Sequence, residues 1–412
     1  MAEPPDLDPP PRVGLAEPGP FLATISRRPW FHHDLDNFDT VEMWALVALC
    51  ALSRKERPDD IRCDVYERGS SRAGRFAHAV RFTEARDAEA AMASQTDRTV
   101  AIQRVRFGQP TAKVAEEIAS LAVPGADEVD SRDALAYVID ELLRNVIQHS
   151  GDALGAVVGA QRMDAGKGGY RRATVQVAVA DTGKGIWESL KIHHEVPSAE
   201  VALEKAIRPH VSGTFPEGQT GSLNNAGLGL FFTSEMAKLT RSRFLLASRG
   251  ASLLLSSDEE ADTHAIEILV PPGTGFPGTL AVFELPLEIV DRDALLDVIR
   301  KRASERTPAS SGRTWLTYEA PPAAVPRVLV RELLDDTTTF EARVESYRAG
   351  LSAGRPLSLD FSGIAILTQS VLHALLFHSV RVAWAMGTKV YIECASPAVR
   401  SGLDYLESYA LK

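Results

Sequence analysis

The stretch "YVIDELLRNVIQHSG" (residues 137–151) decides how the rest of the chain is interpreted. Its aliphatic residues recur at the spacing of an amphipathic helix. Glu141, Asn145 and His149 follow one another at intervals of four, so a helix places them on one stripe, a turn apart. Such a row is usually a solvent-exposed face. Here it contains a carboxylate, an amide and an imidazole, so the remainder of the chain must decide between a solvated face and a ligand site.

The composition narrows the class of protein. The 412 residues are enough for two or three domains, and their net charge of -10 argues against a general nucleic-acid surface. Three scattered cysteines form neither a disulfide framework nor a metal-binding spacing, and they suit a reducing cytosol. The proline-rich start lacks the features of a secretory signal, and the longest apolar run, "MWALVALCAL", is too short to span a bilayer. We therefore expect a cytoplasmic protein that is not embedded in a membrane.

Three segments, in a fixed order, carry residues suited to phosphate and base recognition. The first is the quoted helix, with Glu141 and Asn145. The second is the strand "VAVADTGKGIW", which ends at Asp181 and continues into Gly183 and Gly185. After a long segment rich in Gly, Pro, Ser and His comes the third, "NNAGLGLFFTSEMAK", which predicts a helix opening at Gly227, Leu228 and Gly229.

The chemistry of these residue types fits one ligand. A magnesium ion bound to phosphates keeps most of its waters, so a single amide oxygen, that of Asn145, is a sufficient protein ligand. Glycines let the backbone approach phosphate oxygens, and a helix N-terminus offers amide donors to them. Asp181 at a strand end can accept a hydrogen bond from an exocyclic amine such as that of adenine. Glu141 can polarise water or accept a hydroxyl proton.

In its order and spacing, this set resembles the GHKL ATPase superfamily, which includes DNA gyrase, heat-shock chaperones, mismatch-repair ATPases, sensor histidine kinases and anti-sigma-factor kinases. "ELLRN" is similar to the N-box, "DTGKG" to the first glycine box and "GLGL" to the second, with a nucleotide lid between them. "GTLAVFELP" resembles the closing segment, in which Thr279 would support the adenine pocket. The resemblance covers residues 113–288. It implies ATP and Mg²⁺ as cofactors, Glu141 as the catalytic residue, and nucleotide contacts from Asn145 (also the Mg²⁺ ligand), Asp181, Gly183, Gly185, Gly227, Leu228, Gly229 and Thr279.

The carboxy-terminal segment "LSLDFSGIAILTQSVLHALL" resembles the STAS fold of anti-sigma-factor antagonists. In that family a strand ending in an aspartate precedes a serine, at a helix start, that a GHKL kinase phosphorylates. Asp360 matches the aspartate, and Ser370 falls at the position of the phosphoacceptor. Thr368 and Gln369 depart from the usual Asp-Ser, and Val371 replaces a glycine, so the match is to a divergent group. The alternative interpretation is that Ser370 is an unmodified helix N-cap.

These observations predict an α+β protein: a central Bergerat-type ATP-binding α/β sandwich, with a mixed sheet covered by helices, flanked by smaller α/β STAS-like units. We expect a disordered tail over residues 1–20 and a small α/β domain over 21–99, in which "FLATISRRPWF" would be a strand. The ATP-binding domain would cover 100–290, with "SRFLLAS" and "AIEILVPPGT" as a strand pair. A helix and linker over 291–314 would lead to the STAS-like domain over 315–412.

The predicted function is a cytosolic ATP-binding regulator that hydrolyses Mg-ATP or transfers its phosphoryl group to a protein. A protein partner would bind through the STAS-like module, and a homodimer is compatible with the resemblance. A sensor histidine kinase is an alternative, although no phosphoacceptor helix precedes Glu141. A clamp ATPase is a third, disfavoured because the chain is acidic and ends in a STAS-like module. A nucleotide-binding scaffold without turnover is the fourth, and the presence of Glu141 beside Asn145 argues against it.

Overall fold

The protein is a mixed α+β molecule that divides into two compact units. Unit 1 comprises residues 1–207 and 233–290, and unit 2 comprises residues 208–232 and 291–412. The computed structural model describes residues 10–27, 32–58, 62–66, 68–88, 95–96, 98–125, 128–166, 170–209, 211–214, 227–258, 263–269, 275–288, 291–304, 315–336, 338–386 and 388–410.

Unit 1 is built on a central sheet with helices on both faces. Its amino-terminal elements are β1 (Arg12–Val13), α1 (Gly19–Arg27), β2 (His32–Asp34), β3 (Thr40–Val41), α2 (Met43–Ser53), β4 (Asp64–Tyr66), α3 (Arg72–Ala79) and α4 (Phe82–Asp87). They are followed by β5 (Gln95–Thr96), β6 (Thr99–Val105), α5 (Thr111–Ala122), α6 (Val129–Asn145), β7 (Ala156–Met163), β8 (Thr174–Asp181), α7 (Gly185–Leu190) and α8 (Ala199–Ala206). Helix α9 (Gly229–Leu239) spans the division between the units, and β9 (Phe244–Ser248), β10 (Ala251–Asp258), β11 (Thr263–Leu269) and β12 (Thr279–Pro286) complete unit 1.

The central sheet has eight strands in the order β11-β10-β9-β12-β8-β7-β6-β5. Every pairing between these described strands is antiparallel, so the prediction of a mixed central sheet is wrong. Strands β7 and β8 are consecutive in the chain and form an antiparallel hairpin. Strand β10 lies between β9 and β11, which corrects the predicted pairing of "SRFLLAS" with "AIEILVPPGT". The turn at Gly250, with φ +90, brings "ASLLLSSD" back beside β9.

Burial on both faces of the sheet explains its composition. Every residue of β8 is buried, as expected for a strand covered on both sides. Ala178 and Ala180 belong to the core that surrounds α2, a helix whose eleven residues are all buried. The alternating residues Val177 and Val179 point the other way, towards the layer formed by α5 and α6. Asp181, two residues after Val179, therefore lies on the face that α6 covers.

The amino-terminal segment differs from the prediction. "FLATISRRPWF" was expected to be a strand, but residues 19–27 form α1, with Pro20 in its first turn, a position that proline favours. The longest apolar run of the sequence, "MWALVALCAL", forms most of α2, which is buried along its whole length. Its apolar surface packs against β7 and β8, so the described residues of 21–99 belong to unit 1 and not to a domain of their own. They provide one of the two layers that cover the sheet.

Unit 2 carries a four-stranded parallel sheet. Its elements are α10 (Arg292–Ser304), β13 (Leu316–Thr317), β14 (Arg327–Leu329), α11 (Val330–Asp335), α12 (Phe340–Ser352), β15 (Leu357–Asp360), α13 (Gln369–Met386), β16 (Val390–Glu393) and α14 (Pro397–Ala410). The strand order is β13-β16-β15-β14, and all the described pairings are parallel. Helix α10 packs against α14, so the segment expected as a helix and linker contributes its helix to this unit.

Candidate functional site

The helix that carries Glu141 and Asn145 ends in an unusual turn. Helix α6 runs to Asn145, and Val146–Ser150 continues it as a single π-helical turn. Gly151, with φ +66, stops the helix in the left-handed conformation. Single π turns within helices are rare and occur often at functional sites. This turn displaces the residues after Asn145 from the register of a regular α-helix.

The polar stripe on α6 is not a solvent-exposed face. The Glu141 residue is 2% exposed. The Nδ2 atom of Asn145 is buried and has no protein hydrogen-bond partner among the described residues. Because the two ends of an amide group are interchangeable by rotation, this position can present either a donor or an acceptor to a ligand. Burial of the His149 imidazole and the nearby positive charge of Lys184 lower its pKa to about 4, so His149 is neutral at pH 7.

Asp181 and Thr279 were predicted as site residues from distant segments, and the structure places them opposite each other. They are register partners across β8 and β12. The Asp181 residue is 1% exposed, and this burial raises the pKa of its carboxyl to about 7. Hydrogen bonds from the Gly183 amide and the Thr279 side chain lower the pKa, but by less than burial raises it. The Gly183 bond measures 2.8 Å to Oδ1. A buried carboxyl whose pKa lies near neutrality is a typical feature of functional sites.

The turn after Asp181 requires its glycines for space and conformation. A Cβ atom on Gly183 would lie 2.2 Å from the carbonyl oxygen of Ser150, an impossible contact. Gly185 has φ +80, a conformation that favours glycine, and opens α7. The Lys184 amide donates to the same Ser150 oxygen over 2.8 Å, so the turn is fastened to the end of the π-helical segment.

The amides of this turn bind protein atoms, which corrects one expectation. The Thr182 amide donates to Asp152, the Gly183 amide to Asp181, and the Lys184 amide to the carbonyl of Ser150. They are therefore not the open phosphate donors that the glycine pattern suggested. Gly183 serves the close packing of the backbone instead.

A buried ion pair next to the turn was not found from the sequence. Arg54, at the end of α2, is fully buried, and its Nη2 atom lies 2.7 Å from Asp152 Oδ2. The same nitrogen donates to the hydroxyl of Thr182 over 2.7 Å. Burial alone would raise the pKa of Asp152, but Arg54 and the Thr182 amide outweigh it and hold the pKa below its usual value. Arginine and aspartate are rarely buried, and only the fold brings these two together.

The second glycine segment lies in unit 2. Gly227 accepts a hydrogen bond from the Val211 amide over 3.2 Å, Leu228 is buried, and Gly229 begins α9 as predicted. The segment expected as a lid forms α7 and α8 over part of its length. Residues 215–226, which belong to the same expected lid, lie outside the described residues.

The predicted phosphoacceptor lies at a helix start but does not cap it. Thr368 accepts a hydrogen bond from the Val371 amide over 3.2 Å, so Thr368 is the N-cap of α13, and the N-cap interpretation of Ser370 is wrong. Ser370 lies within the first turn and is 5% exposed. Asp360 ends β15 as predicted, and its Oδ2 atom pairs with Arg327 over 2.6 Å.

Comparisons with known proteins found no relative of this chain. No family model matches the chain, and neither the curated proteins nor the solved structures contain a match. Within the part of the chain that the structure describes, no group of three or more His, Cys, Asp or Glu side chains is arranged to hold a metal ion. No helix among the described residues is both long and apolar enough to cross a membrane.

Proposed function

We propose that the chain is a GHKL-like ATP-binding regulatory protein that hydrolyses Mg-ATP or transfers its phosphoryl group to a protein. The observation that carries the proposal is the pairing of Asp181 with Thr279 on the sheet face covered by α6. The two residues were selected separately, by their places in two motifs, and they lie side by side. A carboxylate and a hydroxyl in that position suit a base with an exocyclic amine, as in adenine.

The second support comes from α6. Glu141 and Asn145 are one turn apart on a helix whose following turn is bonded to the glycine turn after Asp181. The buried amide of Asn145 fits a magnesium ion that takes its other ligands from phosphates and water, since such an ion needs few protein oxygens. Mg²⁺ would supply charge neutralisation at the phosphates. Glu141 would accept a proton from water or from a protein hydroxyl.

The test is incubation of the full chain with Mg²⁺ and γ-labelled ATP, following both free phosphate and label on protein. Release of phosphate, or acid-stable label on the protein or an added partner, supports the proposal. Acid-labile label would indicate a phosphohistidine and favour the histidine-kinase alternative. Equilibrium binding of labelled ATP, measured in parallel, separates a site that binds without turnover from a chain that does not bind; no binding refutes the proposal.

Single substitutions test whether ATP binding and protein labelling depend on the candidate site residues. Asn145→Ala should abolish Mg²⁺-dependent ATP binding, because it removes the proposed metal ligand; unchanged affinity would contradict that role. The matched control is Glu117→Gln on α5, an exposed residue of the neighbouring helix, which should leave binding unchanged. Loss of acid-stable label in Ser370→Ala would make Ser370 the acceptor. Because Ser370 is buried, that reaction would also require the first turn of α13 to open.

A further inference from the structure

The Asp181–Gly183 turn is held from two directions. On its own face, Asp181 accepts from the Gly183 amide and the Thr279 hydroxyl. From the opposite face, Asp152 Oδ2 accepts from both the amide and the hydroxyl of Thr182, over 2.7 and 2.8 Å. The peptide units on either side of Thr182 are therefore fixed by two carboxylates. The second of these depends on Arg54.

Arg54 uses its whole guanidinium inside the protein. Its Nε donates to the carbonyl of Ala51 over 3.1 Å, and its Nη1 donates to the carbonyl of Gly155 over 2.9 Å. Its Nη2 donates to both Asp152 Oδ2 and the Thr182 hydroxyl. These partners lie up to 128 residues away along the chain. A planar donor group with fixed directions orders its partners more strictly than a lysine would. Arg54 thus joins α2, the loop after α6 and the end of β8.

We propose that Arg54 and Asp152 are positioning residues of the nucleotide site: they hold Thr182 so that the neighbouring Asp181 carboxylate faces the base of a bound adenine nucleotide. The inference rests on the proposed function. It assigns a role in ligand recognition to the amino-terminal segment, which carries none of the recognisable motifs. Neither residue touches the base in this scheme; both act through the turn.

The same pair also sets the charge around Asp181. The negative charge of Asp152 raises the pKa of Asp181, and the positive charge of Arg54 lowers it. Titratable or charged groups among the described residues around the turn include Arg57, His149, Lys184 and Arg249, and Glu141 lies on the helix that covers the same face as Asp181. Replacing either member of the pair breaks the same contact, yet the two replacements change the field at Asp181 in opposite directions.

A loss of structure would weaken binding in both variants, but it would not shift the pH dependence of binding in opposite directions. Binding of ADP to the full chain is measured by calorimetry at a series of pH values between about 5.5 and 8.5, and each variant's affinity profile is compared with that of the wild type, because titration of the ligand contributes equally to every profile. Wild-type affinity should rise with pH as Asp181 ionises. Arg54→Gln should move the midpoint of this rise to higher pH and weaken binding at neutral pH roughly tenfold. Asp152→Asn should move the midpoint to lower pH.

Two further variants keep the test decisive. Thr182→Val preserves all charges and should weaken ADP binding without moving the midpoint; if Arg54→Gln does not fold, Thr182→Val and Asp152→Asn decide. The control is Asp87→Asn, which breaks the partly buried ion pairs of Asp87 with Arg86 and Lys55 in the same segment and leaves the charges of Arg54 and Asp152 in place. It should leave Kd and midpoint unchanged.

The outcomes separate the two proposals. No ADP binding by wild type refutes the proposed function, and the inference with it. Wild-type binding with both ion-pair variants shifting in the same direction, or with neither shifting, refutes the positioning role alone. Opposite shifts with an unaffected Asp87→Asn support it.

Discussion

Replacing Asp181 with asparagine should make the protein more stable while it removes the proposed ligand contact. In the folded state the pKa of Asp181 is raised from 3.8 to about 7, mainly by burial. The folded chain therefore disfavours the ionised form, and stability is lost as the pH rises from about 4 to about 7. The folded and unfolded pKa values differ by about three, and each pKa unit corresponds to about 1.4 kcal/mol, so ionised Asp181 lowers the free energy of unfolding by at most about 4 kcal/mol. An amide oxygen can still accept the Gly183 and Thr279 hydrogen bonds.

The assay is urea unfolding followed by circular dichroism at about pH 4.5 and pH 8, with equal m-values as the check on a common unfolded state. We expect Asp181→Asn to gain about 2–4 kcal/mol in unfolding free energy at the higher pH and about 1 kcal/mol or less at the lower, where the unfolded chain has only begun to favour the ionised form. Asp39→Asn, at an exposed site, should change stability by less than about 0.5 kcal/mol at either pH. No gain at pH 8, or an equal gain at pH 4.5, would refute the charge-burial argument.

Three further predictions use single substitutions. Gly183→Ala should lower the unfolding free energy by about 2 kcal/mol or more, because its Cβ would meet the Ser150 carbonyl; Gly19→Ala, with open space around it, is the control in the same urea titration. Glu141→Gln should keep the ATP Kd within about twofold but reduce phosphate release at least about a hundredfold, and an unchanged rate would remove the proposed base role. Thr368→Ala should destabilise unit 2 by about 1 kcal/mol through loss of the α13 cap, measured by thermal unfolding; no change in Tm would contradict the capping assignment.

The sequence predicted the elements with strong periodicity and missed those set by distant contacts. Helix α6 and strands β7 and β8 follow directly from their apolar spacing. The α1 segment was mistaken for a strand because its β-branched and aromatic residues outweighed Pro20 in the prediction. A propensity of this kind is weak, and packing against the rest of the chain overrides it.

In the candidate site too, the residues with local sequence motifs were predicted and those positioned by distant contacts were not. Asp181 and Thr279 were each identified from local motifs, and their pairing required only the sheet register. Arg54 and Asp152 had no local signal, since a buried guanidinium is indistinguishable in sequence from an exposed one. The π-helical turn after Asn145 also lacks a recognisable pattern in the sequence, where residues 146–150 continue the amphipathic spacing of α6.

The cross-strand position of Asp181 and Thr279 bears on how this chain can change during evolution. Their spacing is set by neighbouring strands, at about 5 Å between the β-carbons, and not by the chain that runs between them. Loops between β8 and β12 that lie beyond the Thr182–Gly183 turn can therefore change length with little entropic cost, while β9 keeps its pairing with β12 and the two side chains stay in place. Insertions in those loops could add new surfaces to the chain without disturbing the Asp181–Thr279 pair.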